Sequence, residues 1–153
     1  MGSVEQLASL VLSKADDVYP VNITALINRM GIEVYFCPFS DSLNGFYTKV
    51  EGCPIIAINS IHSVKRQRFT AAHELYHHVA ESSGLQFSSS MSRVARERRA
   101  DCFAAAVLMP INECMYLTRR GMTYVNFASI FKVSKQAAMI RAIEVNRIMS
   151  FGA

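Results

Sequence analysis

The stretch RFTAAHELYHHVAE, Arg68 to Glu81, constrains this chain more than any other, because it asks one helix to bury an apolar face and carry a cluster of imidazoles beside it. His73 and His77 stand four residues apart, one turn up the same helical face, the spacing at which two neutral imidazoles converge on one zinc ion. With Phe69 at zero and an advance of about 100° per residue, Ala72, Tyr76 and Ala80 surround the apolar centre and the two histidines lie on its flank, half buried. Glu74 falls roughly 60° beyond His77, next to the ligand face. A carboxylate there can hold a water at the metal and take its proton, the role of glutamate in an HExxH metallopeptidase. His78 lies opposite the apolar stripe and is expected to be exposed, within reach of Glu74 at the same four-residue spacing. HExxH alone arises by chance fairly often, so a third ligand decides between a metal site and the polar rim of an ordinary helix.

RVARERRADCFAAAVLMP supplies the candidate. On a second helix Asp101, Ala104 and Leu108 fall within about 40° of Glu97, so both carboxylates sit on a stripe that otherwise reads as core. Burying them is costly unless a cation meets them, and four residues apart they repel each other on a bare surface. We therefore expect Glu97 as the third ligand and Asp101 as the acceptor that orients a ligand histidine through its other ring nitrogen. The spacing also permits the reverse assignment, and a surface pair of Glu97 with Arg93 is the bland alternative. Two histidines, a carboxylate and an open fourth position suit hydrolysis by zinc, although manganese or iron can occupy such a set.

The 153 residues suffice for one domain with a sizeable core, and a composition 51% hydrophobic and 18% charged is that of a folded chain. No apolar run approaches the roughly 20 residues that span a bilayer, and the N-terminus lacks a basic flank and cleavage site. Four widely spaced cysteines, Cys37, Cys53, Cys102 and Cys114, make neither a zinc ribbon nor a disulfide framework. The expectation is a soluble cytoplasmic protein with reduced thiols. Nine of the sixteen Lys and Arg residues lie between Lys65 and Arg120, which is compatible with an acidic partner or with a solvated face.

Periodicity predicts an α+β fold in a single domain, 1–153. Two N-terminal helices occupy 1–31, the first running through SVEQLASLVLSKADDV and the second, NITALINRMG, opening on an Asn22 cap and closing at Gly31. Residues 32–110 hold a small antiparallel sheet (IEVYF, NGFYTKV, CPIIAIN) and the two site helices, with the serine-rich stretch Ser82 to Ser92 between them placed to flank a cleft. If PIIAIN is an edge strand, an extended substrate can add to it. The remainder, 111–153, is helical, and FASIFKVSKQAAMIRAIEV has the helix, Val-Ser turn and second helix of a helix-turn-helix.

FTAAHELYHH followed some twenty residues later by ERRADCFAAAVLMP resembles the ImmA/IrrE metallo-endopeptidases, with IIAINS similar to the family's preceding strand; the likeness covers about Asn44 to Pro110. The resemblance implies a zinc-dependent endopeptidase of bacteria, phages or mobile elements that acts as an anti-repressor by cleaving a helix-turn-helix repressor. Carried over, it makes His73, His77 and Glu97 the Zn²⁺ ligands and Glu74 the catalytic glutamate. Val107-Leu108 stands where Leu-Leu is commoner. A donor to the tetrahedral oxyanion is also expected, with Tyr47, Tyr76 and His78 as candidates. The C-terminal hairpin is expected to pack on the protease domain or dock the repressor, not to read DNA, since its second helix carries only Lys135, Arg141 and Arg147 as bases. The alternative function is a non-catalytic anti-repressor that binds its target and uses zinc structurally; it would tolerate Glu74→Gln.

Overall fold

The helix ends follow from local chemistry. A computed structural model describes residues 3–82 and 91–152 of the chain; most of the serine-rich stretch expected to flank a cleft lies outside the described residues. Ser3 and Gln6 form a reciprocal capping box at the start of α1 (Val4–Leu12). This helix stops sooner than periodicity predicts: Asp16 pairs with Arg29 at 2.9 Å, and Arg29 also donates to the Lys14 carbonyl, so the following residues turn toward α2 (Ile23–Arg29). The Asn22 side chain caps α2 as expected.

Three strands follow, β1 (Glu33–Cys37), β2 (Gly45–Val50) and β3 (Cys53–Asn59). Glu51 and Gly52 both take positive φ, 51° and 82°, the two-residue turn whose twist matches a hairpin, and they pair β2 with β3 antiparallel from Val50 opposite Cys53. The sheet is nevertheless mixed and not antiparallel. Its order is β1-β3-β2, with β1 parallel to β3. The loop after β1 crosses the end of β3, and the Asn59 side chain, fully buried, pins it: Nδ2 donates to the carbonyls of Ser40 and Leu43, while Oδ1 accepts from the Phe39 amide. PIIAIN is therefore the central strand, paired on both sides, and an extended substrate cannot add to it.

α3 (Val64–Ser82) and α4 (Arg93–Leu108) pack on one another, α3 also against β2 and β3 and α4 against α1. Ala71, Ala72 and Ala80 on α3 and Ala100 and Ala104 on α4 are all buried, and these small side chains allow close approach while Leu75, Phe103 and Leu108 fill the seam. α5 (Ile111–Arg119), α6 (Tyr124–Phe131) and α7 (Lys135–Phe151) complete the α+β fold. Arg68 of α3 donates to the carbonyls of Phe131 and Lys132, satisfying the end of α6 and tying α3 to the α6–α7 turn. Arg141 of α7, fully buried, donates to the Met109 carbonyl and pairs with Glu144 and with Glu5 of α1. Among the described residues no single helix is long and apolar enough to cross a membrane.

Candidate metal centre

The site lies on the seam between α3 and α4. His73 and His77 are half-buried on α3, their rings edge-to-face with centroids 5.4 Å apart. Glu97 reaches across from α4 with one oxygen 2.8 Å from His73 Nε2 and the other 3.4 Å from His77 Nε2. Asp101, one turn along, bonds the far nitrogen of His73, Nδ1, at 2.7 Å. Glu97 thus faces the histidines and not Arg93. Both carboxylates stand at a rim and not in the core: their side chains are 46% and 59% exposed, because the inward stripe on α4 narrows to Ala104 and Leu108 beyond them.

The donor set fits a cation. One ligand atom from each of His73, His77 and Glu97 lies within 4.8 Å of the others. Two imidazoles with a carboxylate at this spacing would suit zinc. Electrostatics agree. Burial opposes a charged His73, yet the Asp101 hydrogen bond and the charges of Glu74, Asp101 and Glu97 outweigh it and hold its pKa above the ordinary value. A place where carboxylates raise the pKa of a half-buried imidazole favours positive charge. His77 goes the other way: burial lowers it, and the opposing pull of Glu97 is not enough.

Glu74 is buried beside the histidines. Burial raises its pKa; His73 and the backbone N–H of Tyr47 pull it down, and Glu97 pushes it further up. The strand contact explains a misplacement. His78 is half-buried, not exposed, and its partner is not Glu74: Nδ1 lies 3.1 Å from the Tyr47 hydroxyl, which also donates to Glu81. Burial lowers the pKa of His78, with Lys49 adding to the effect. Strand β2 runs along this side of α3, setting Gly45 against Thr70, Tyr47 against Glu74 and His78, and Lys49 against Glu81 at 2.8 Å. A Cβ on Gly45 would meet the Ala57 carbonyl oxygen at 2.4 Å and Thr70 Cγ2 at 2.8 Å, so only glycine allows the strand this close. The alternation of Gly45, Tyr47 and Lys49 was the sequence signal for this contact, but it needs a partner helix to be read.

Of the three candidates for an oxyanion donor, Tyr76 is 1% exposed, packs on Phe103 and accepts from Arg99, which removes it from the cleft. Tyr47 and His78 remain, bonded to each other.

A solved structure, a Mycobacterium tuberculosis transcriptional regulator, superposes with a TM-score of 0.65 over 88% of this chain at 16% identity, a likeness of fold. The chain spans 44% of that protein's length. No curated protein sequence matches it. The family described as IrrE N-terminal-like domain, Peptidase_M78, matches residues 27–142, which take in the whole sheet, both site helices and most of the helical remainder; the chain belongs to this family.

Proposed function

We propose that this chain is a zinc-dependent endopeptidase and anti-repressor that cleaves a helix-turn-helix repressor. One observation carries the chemistry: both oxygens of Glu97 face the two Nε2 atoms of an HExxH pair, with a buried carboxylate, Glu74, alongside. Membership of a peptidase family supports the reaction type, and a fold shared with a transcriptional regulator supports the regulatory setting.

In this reading His73, His77 and Glu97 hold the ion. Bound zinc supplies Lewis acidity and brings the pKa of a water toward neutrality. Asp101 accepts from His73 Nδ1, which fixes the tautomer and leaves the Nε2 lone pair for the metal. Glu74 takes a proton from the attacking water and returns it to the amine leaving the peptide bond. Its burial suits that task, because a carboxylate whose pKa is pushed up is a stronger base once ionised.

Elemental analysis of protein purified without chelator tests the site. Wild type and Glu74→Gln are expected to carry about one zinc per chain, Glu97→Ala to lose most of it, and Asp101→Asn to bind it roughly 10–100-fold more weakly. No tightly bound metal after zinc is added back would remove the enzyme reading. Release of the repressor's genes by Glu74→Gln with full effect would replace proteolysis by binding alone.

A further inference from the structure

A groove of about 700 Å³ opens between the start of α3, the middle of α4 and the first turns of α7, well within the size at which proteins hold a ligand segment. Its apolar lining is Phe69, Ala105, Ala137 and Ile140. The apolar surface continues out of the groove along α7, where Met139, Ile140 and Ile143 are 43%, 58% and 65% exposed. Three-and-four spacing places them on one uncovered side of the helix.

The charges on the rim are unbalanced. The two carboxylates in the lining are already committed, Glu144 to Arg141 at 2.8 Å and Asp101 to His73 at 2.7 Å. Lys65 and Arg98 also line the groove, and neither pairs with a carboxylate among the described residues. What seats here must bring apolar side chains for this lining and negative charge for the rim. A groove walled by helices, open along its length, accepts such a face from an amphipathic helix. Asp101 belongs both to this groove and to the metal centre, so a chain lying in the groove leads to His73.

We infer that the α3–α4–α7 groove is a docking site for an acidic amphipathic helix of the protein substrate, holding it beside the metal centre. The inference rests on the proposed peptidase reading for what the groove delivers, but its test does not involve turnover. Two fluorescein-labelled peptides about four helical turns long share leucines at i, i+3, i+4 and i+7; one carries glutamate at the flanking positions and the other lysine. Fluorescence anisotropy with the full chain bearing Glu74→Gln reads their affinities. The acidic peptide is expected to bind at least ~10-fold more tightly, a gap of about 1.4 kcal/mol. Arg98→Glu should abolish that preference and Ile140→Asp should weaken both peptides; both positions are solvent-exposed, and a thermal melt verifies that each variant is folded. Peptide mapping after alkylation should show Cys102, which lines the groove, protected by the acidic peptide while the exposed Cys53 reacts as before. Equal affinities, failure of either peptide to bind, insensitivity to Arg98→Glu, or an unprotected Cys102 would each overturn the inference. A chain without peptidase activity can still pass this test, and an active peptidase can still fail it.

Discussion

Single residues explain how β2 comes to lie on the HExxH helix. Gly45 and Gly52 are both glycines of β2 and its turn, but for different reasons. At Gly52 the space is open and φ is +82°, so alanine meets only backbone strain; at Gly45 a methyl collides with a carbonyl and with Thr70. Urea unfolding should therefore separate them, with Gly52→Ala costing about 1 kcal/mol and Gly45→Ala about 1–3 kcal/mol. A smaller loss at Gly45 than at Gly52 would mean that the strand is not held so tightly. The residues of the candidate metal site were the part of the sequence that could be picked out one helix at a time. His73, His77 and Glu97 follow from a 3.6-residue period, and the structure brings them together. His78 was misjudged because a helical wheel treats the side away from the apolar stripe as water, and here that side is covered by Tyr47.

At the scale of elements, helices were legible and strand order was not. The helices announce themselves through their own apolar spacing, and in the structure Ser92 and Ser134 cap the starts of α4 and α7. The order β1-β3-β2 depends on a loop that passes across the sheet, and its determinant is Asn59, a polar residue at the end of an apolar strand whose four bonding groups are spent on that loop and the turn after it. Nothing local distinguishes it from an ordinary strand end. The seating of α7 was hidden for the same reason: Arg141 reads as a solvent base, yet it is fully buried and joins α7 to α1 and to the end of α4. Arg141→Met should destabilise the chain by about 3 kcal/mol, the lower end of the cost of breaking a buried ion pair, because Glu5 and Glu144 keep some access to water. A change in the urea midpoint corresponding to less than about 1 kcal/mol would place the pair among weak surface bridges.

For the whole molecule, the charge on the imidazoles links stability to pH. Burial keeps His78 neutral in the folded chain, with a pKa below the ordinary 6.5. As the pH falls below that value the unfolded chain takes up a proton first, so the contribution of His78 is complete above pH 6.5 and is lost as the pH drops through the folded pKa. His73 has the opposite sign: its pKa is raised, so its contribution is present below 6.5 and lost as the pH rises. Melting curves of chelated protein from about pH 7 to 5 should therefore fall less steeply in His78→Gln than in wild type. A steeper fall in the variant would contradict the burial of the ring.

The two seams of α3 have a consequence for how such a chain can change over time. Thr70, Glu74, His78 and Glu81 meet the strand, whereas His73 and His77 meet α4, their mean direction about 75° around the helix. A lineage that lost the histidine stripe would keep the strand contacts, and one that remodelled the strand would keep the histidines. The helix presents two nearly independent surfaces to selection, and Glu74, which adjoins both, is the position at which they are bound to one history.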